Sequence, residues 1–88
     1  WLEAGAKTYQ TTGQALPKAT FDACAKADAI LLGAMGMPSI RYPDGTEIAP
    51  QLDLRFDLGL YAGVRPIRTI PGVPSLLKHP KSETMDFV

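Results

Sequence analysis

Two hydrophobic periods alternate along this chain. After Leu16-Pro17, the residues Phe21, Cys24 and Ala25 recur at helical spacing, while Lys18, Asp22 and Lys26 fall toward water. Pro17 suits the first helical position, where its missing N–H costs nothing. Past Asp28, Ala29 to Ala34 is an unbroken apolar run without polar alternation. Such a run predicts a strand buried on both faces, as in a parallel sheet covered by helices. A helix followed by a buried strand is half of an α/β unit, with the strand packed under the helix that starts near Pro17. The rest of the pattern is weaker. Leu2 to Thr12 is small and polar and ends at Gly13, a weak strand and turn. Gly33 to Pro38 closes the apolar run in a glycine-rich turn, and Ser39 to Thr46 is a polar loop around the turn Pro43-Asp44-Gly45. Ala49-Pro50 opens a short helix through Leu58, which Gly59 can terminate. Leu60 to Ile70 carries the β-branched residues of a strand, which Pro66 confines to an edge or a bulge. Pro71 to Ser82 is loop, and Met85 to Val88 begins another strand.

Composition narrows the classes of function. The 88 residues suffice for one small domain, and the hydrophobic share of 45% is ordinary for a globular chain. Nine basic side chains balance nine acidic ones, so no electrostatic footprint marks a nucleic acid or an anionic membrane as partner. The run Ala29-Ile30-Leu31-Leu32 is far too short to span a bilayer. No basic segment followed by an apolar one opens the chain in the manner of a signal peptide. Cys24 stands alone, which excludes an internal disulfide framework and a cysteine-rich metal site, and a reducing cytoplasmic setting is the simple expectation. The chain begins at Trp1 and stops inside the apolar Asp86-Phe87-Val88, so residues 1–88 are expected to be a partial domain whose core continues outside. A sheet cut from its neighbours exposes strand edges, and the isolated piece is expected to be poorly soluble or oligomeric.

Few side chains stand out for chemistry. Arg55 lies three residues after Leu52 and beside Phe56, on a leucine-rich helix. Its stem can cover apolar surface while the guanidinium reaches water. The alternative is a fork that grips a carboxylate or phosphate through two parallel hydrogen bonds. Arg65, inside Tyr61-Ala62-Gly63-Val64-Arg65-Pro66, needs an anionic partner or an exit to solvent; Arg68 reads as solvated. Gly33 to Gly36 leaves the carboxyl end of the apolar run, where α/β folds bind ligands, but it is not the dinucleotide fingerprint. His79 reads as a solvated loop residue and Cys24 as a core thiol. Asp53 and Asp57, four apart on one helix, lack a third metal ligand. Ser75 lacks the setting of a nucleophile elbow.

The order of the motifs says more than any one of them. Thr12-Gly13-Gln14-Ala15-Leu16-Pro17, then Ala29 to Pro38, then Leu52-Asp53-Leu54-Arg55, then Leu58-Gly59-Leu60-Tyr61-Ala62-Gly63-Val64-Arg65-Pro66 resembles the isocitrate/isopropylmalate dehydrogenase family of β-decarboxylating enzymes. In that family these stretches read like T-G-x-x-L-P, LLGAVGGP, L-x-L-R and L-x-L-[YF]-A-N-[LV]-R-P, and the likeness runs from about Thr12 to Val88. It implies an α/β chain that is a fragment of the isopropylmalate dehydrogenase-like fold, a mixed sheet with flanking helices. By the same resemblance Arg55 and Arg65 hold the carboxylates of a 2-hydroxy diacid. Gln51 and Leu52 face its variable side group. Gly36, Thr46, Glu47 and Ile48 belong to the segment beside the nicotinamide end of NAD, with NADP left open. The departures are Met37 for the second glycine of a pair, a shorter loop, Gly63 for asparagine and Gln51 for leucine. The last puts a fully apolar substrate pocket in doubt. The chemistry implied is hydride transfer to NAD, with Mg²⁺ or Mn²⁺ polarising the oxygen as CO₂ departs, in a homodimeric parent. The proton-transferring Lys and Tyr and the metal aspartates fall outside this chain, so the piece alone is expected to be inactive. 3-Isopropylmalate is the favoured substrate. Tartrate, D-malate, isocitrate and homoisocitrate are the alternatives within the family, and a non-catalytic α/β remnant is the alternative outside it.

Overall fold

A computed structural model describes all residues, 1–88. Its first element is a helix, α1 (Ala6–Thr12), where the polar pattern predicts a weak strand. Glycines bound it at both ends. Gly5 enters at φ 101°, ψ −165°, and Gly13 leaves in the left-handed region at φ 76°, with its N–H donating to the Tyr9 carbonyl at 2.8 Å. The Thr11 and Thr12 hydroxyls donate back to the carbonyls of Lys7 and Thr8 at 3.2 and 2.7 Å. Their polarity is thereby spent on the helix's own backbone. With only Ala6 and Thr8 buried, α1 has no apolar stripe for a periodicity argument to find.

The second helix, α2 (Lys18–Lys26), forms as its spacing predicts, with Pro17 just ahead of it at φ −59° rather than inside the first turn. Its buried face is Thr20 and Cys24; Phe21 is half-buried and Ala25 exposed, so the helix is rotated from the expected face. The reason is polar: the Thr20 hydroxyl donates to the Glu3 carbonyl at 2.8 Å and turns that side inward. Lys18 and Asp22, one turn apart, pair at 2.6 Å on the exposed side, a contact of little energetic weight.

Ala29 to Ala34 is a correction. The run forms no strand and is exposed throughout, with Leu31 entirely open to solvent. A strand exists only by pairing, and no strand of this chain lies beside it. The only sheet is antiparallel and two-stranded: β1 (Ile67–Arg68) pairs with β2 (Asp86–Phe87), Ile67 opposite Phe87 and Arg68 opposite Asp86. Of the predicted strand Leu60 to Ile70, only those two residues beyond Pro66 pair. Helices with a small sheet agree with an α/β chain in the coarse sense.

Between the glycine-rich turn and α3 (Pro50–Asp57) lies a hairpin-like loop, bridged at Met37–Ile40 and Arg41–Glu47. Its tip is the expected Pro43-Asp44-Gly45 turn. The Asp44 carboxylate accepts the Thr46 N–H at 2.9 Å, and that bond holds its carboxyl below the usual range. The loop folds back on α1. Ala6, Ala15 and Ile48 make the small core, and Tyr9, Met37, Ile40 and Tyr42 pack around it. Tyr9 meets Tyr42 edge to face with ring centroids 5.0 Å apart, a favoured aromatic geometry.

Only ten residues are buried, and the accessible surface is 7499 Å². A self-contained globule of this mass exposes roughly 5,000 Å². The radius of gyration, 17.3 Å, likewise exceeds the roughly 12 Å of a closed domain of this length. The surplus is apolar: Leu31, Phe56, Tyr61 and Leu76 are all open. This chain does not cover its own hydrophobic surface.

Candidate functional site

Helix α3 carries three of the expected site residues. It forms because Pro50 sits at its start, Leu54 is buried one turn on, and Leu58 and Gly59 end it, Gly59 at φ 64°. Leu52 and Gln51 stand three and four residues before Arg55, which brings all three to one side of the helix. Leu52 is 44% exposed, Arg55 is exposed, and Gln51 is half-buried. The Gln51 Oε1 is buried without a hydrogen-bond donor.

Arg65 lies beyond the helix on a segment without regular secondary structure. The Leu60 N–H donates to the Arg55 carbonyl at 2.9 Å, which ties the start of that segment to α3. The four arginines fall into two groups. Arg41 donates to the Gly45 carbonyl at 3.3 Å, and Arg68, exposed as expected, pairs with Asp86 at 3.0 Å. The side chains of Arg55 and Arg65 make no hydrogen bond and no ion pair with any part of the chain. Both present a free planar fork of donors.

The segment expected on the cofactor side divides in two. Gly36, Thr46 and Glu47 are exposed. A Cβ on Gly36 would lie 3.0 Å from the Glu47 Oε1 and 3.7 Å from the Ile48 carbonyl, so the missing side chain lets Glu47 close over the turn. The Thr46 main chain is engaged within the hairpin by Asp44 and Tyr42, whereas its hydroxyl is free. The Ile48 side chain is fully buried in the core, which leaves only its main chain to face a ligand. A cavity of about 500 Å³ opens beside Gly36 and Met37, lined also by Leu2, Ala6, Lys7 and Leu31, and neither Arg55 nor Arg65 reaches it.

No three His, Cys, Asp or Glu side chains gather as a metal site. Asp53 and Asp57 share a helix flank without a third ligand. His79 stays in its loop, exposed, with Nδ1 accepting the Lys81 N–H at 3.2 Å. Cys24 is a buried free thiol. Sequence reasoning overlooked Thr69 and Ser82, which close the proline-rich loop through their hydroxyls. Their only signal is their place at the two ends of that loop.

The family model for isocitrate/isopropylmalate dehydrogenase matches residues 1–88. The chain belongs to the isocitrate/isopropylmalate dehydrogenase family. Among curated relatives, a 3-isopropylmalate dehydrogenase of Mycobacterium leprae (strain Br4923) is 46% identical over 76 residues, 85% of this chain and 22% of that protein. A 3-isopropylmalate dehydrogenase of Staphylococcus aureus (strain Mu50 / ATCC 700699) is 40% identical over 88 residues, 98% of this chain and 25% of that protein. The chain thus spans about a quarter of the length of the family members it matches. No solved structure matches it. Membership in a dehydrogenase family accords with the order of motifs from Thr12 onward, and no helix is long and apolar enough to cross a membrane.

Proposed function

We propose that the whole protein of which this chain is a segment oxidises and decarboxylates a 2-hydroxy diacid, 3-isopropylmalate first among them, and that Arg55 and Arg65 hold the diacid's carboxylates. The observation that carries this reading is the pairing state of the arginines. The two without any partner in the chain are the two that the family motifs assign to substrate. An unpaired guanidinium is a ready site for a carboxylate, bound through two parallel charge-assisted hydrogen bonds. Two such anchors fix both ends of a diacid and so orient the carbon between them.

NAD, or NADP, supplies the hydride acceptor when bound, and Mg²⁺ or Mn²⁺ supplies Lewis acidity. The exposed Thr46 hydroxyl, the Glu47 carboxylate and the open backbone at Gly36 fit the polar nicotinamide end of a dinucleotide. The acidic residues here do not fit a metal, and no step is assigned to them. The segment's own tasks are to bind and orient the acid and to line the cofactor's edge. The motif resemblance further supports a homodimeric whole protein, and the lone Cys24 accords with a reducing cytoplasmic setting.

A second reading has its own support. The Oε1 of Gln51 is covered by the chain and lacks a hydrogen-bond donor there, so a turn of the side chain toward a ligand that donates would satisfy it. An isopropyl group supplies none, whereas the hydroxylated side group of a tartrate-like acid does. The test is direct: purified full-length protein, either dinucleotide, Mg²⁺ or Mn²⁺, and a panel of 2-hydroxy diacids, followed by the absorbance of the reduced nicotinamide. Reduction with 3-isopropylmalate above the other acids supports the first reading. Preference for a hydroxylated acid supports the second, and no reduction with any acid refutes both.

A further inference from the structure

Arg65 sits on the least supported stretch of the site. From Tyr61 to Pro66 the chain makes no hydrogen bond, main chain or side chain, and every residue is exposed. Its placement is therefore inherited from the two ends of the stretch. The upstream end is the Leu60 N–H on the Arg55 carbonyl. The downstream end is the pairing of β1 with β2, two residues each, too short to hold register by itself.

That pairing is closed by one side chain. The Thr69 N–H donates to the Met85 carbonyl at 2.9 Å. The Thr69 hydroxyl accepts the Met85 N–H at 3.0 Å and donates to the Ser82 carbonyl at 2.9 Å. One hydroxyl thus serves as both acceptor and donor across a loop of more than ten residues. The loop end is packed there: Ser82 is 4% exposed, its hydroxyl donates to the Leu77 carbonyl at 2.9 Å and its N–H to the His79 carbonyl at 2.8 Å. The Arg68–Asp86 pair lies in the same ladder but is largely exposed, and water screens it.

We propose that Thr69 is a positioning residue for Arg65: its hydroxyl latches β1 to the segment Ser82–Met85 and so sets where the Arg65 fork meets its anion. This rests on the reading of Arg65 as a carboxylate clamp. The side chain touches no substrate; it acts through the register of β1. A hydroxyl that both donates and accepts is replaced by serine without loss, while valine keeps the shape and loses both bonds.

The test uses the full-length protein and steady-state kinetics with the diacid and the dinucleotide varied separately. Thr69→Val should raise KM for the diacid about threefold to tenfold, the scale for losing ordinary hydrogen bonds from a binding arrangement. It should leave kcat within about twofold and the dinucleotide KM unchanged, and Thr69→Ser should restore the wild-type KM. A purely structural role would lower the melting temperature and the active fraction, and it would not move KM. A wild-type KM in folded Thr69→Val, or a Thr69→Ser variant as impaired as Thr69→Val, overturns the proposal. Should Thr69→Val not fold, hydrogen exchange of the Met85 amide in the wild type decides. Slowing on saturation with diacid supports the latch, and unchanged exchange overturns it. Arg65→Lys is the control: if it leaves KM unaltered, the clamp itself is wrong. If it raises KM while Thr69→Val does not, only the latch is wrong.

Discussion

Replacing Gly5 with alanine should damage this chain far more than replacing Gly13, although both glycines have positive φ and flank the same helix. At Gly5, φ 101° with ψ −165° is a region that only glycine populates freely, and a side chain there costs on the order of 1–3 kcal/mol. A Cβ would also lie 2.5 Å from the Met35 carbonyl oxygen and 3.1 Å from the Met35 Cα. That oxygen cannot retreat without loss, because it accepts the Ala6 N–H at 2.8 Å. Opening the contact forfeits that bond, about 1 kcal/mol, and strains the neighbouring bond from the Gly5 N–H to the Ala15 carbonyl. The two effects sum to roughly 2–4 kcal/mol. Gly13 is left-handed with nothing within 4 Å of an added Cβ, so alanine there costs about 1 kcal/mol. The assay is denaturant unfolding of the full-length variants, alongside KM for the dinucleotide. Met35 runs directly into Gly36 and the hairpin proposed to line the cofactor, so Gly5→Ala should also raise that KM, and Gly13→Ala should not. Equal destabilisation by the two, within about 0.5 kcal/mol, would refute the reasoning.

Two further outcomes are expected. Gln51→Leu should shift the ratio of kcat/KM toward 3-isopropylmalate over hydroxylated diacids by about 1–3 kcal/mol, since it exchanges an unpaired polar group for an apolar one; an unaltered ratio across the panel removes Gln51 from the pocket. Burial, with the charges of Asp53, Tyr9 and Asp44 adding to it, pushes the Tyr42 hydroxyl above its ordinary pKa. The folded form thus favours the neutral phenol, a contribution complete below the unfolded value of about 10 and lost as pH rises through the folded one. The loss of stability above about pH 10 should be smaller in Tyr42→Phe, and identical pH slopes in the two proteins would contradict this assignment.

Legibility in the sequence followed the locality of the interactions. Helices α2 and α3 were readable because Pro17, Pro50 and Gly59 act on their own turns. The Pro43-Asp44-Gly45 turn was readable for the same reason. Helix α1 was not, because its stability comes from glycine boundaries and threonines bonded to their own backbone, features without hydrophobic periodicity. Ala29 to Ala34 has the composition of a buried strand but lies open here, because a strand needs partners that local sequence cannot supply. In the site, Arg55 and Arg65 were conspicuous as arginines in apolar settings, and their lack of any partner became visible only in three dimensions. Ile48, by contrast, belongs to the core by its side chain, a division between side chain and main chain that a motif does not express.

The central claim is that Arg55 and Arg65 clamp the carboxylates of a 2-hydroxy diacid, and lysine replacement tests it most directly. Lysine keeps the charge and loses the planar fork. In the full-length protein with saturating metal, Arg55→Lys and Arg65→Lys should each lower kcat/KM by on the order of a hundredfold, the scale for losing a contact worth about 2–5 kcal/mol. Dinucleotide affinity, measured by direct binding, should stay within about twofold, because neither arginine lines the cavity beside Gly36, the proposed cofactor side. Near-normal kcat/KM in both folded lysine variants would contradict the account and return both arginines to the role of solvated surface residues.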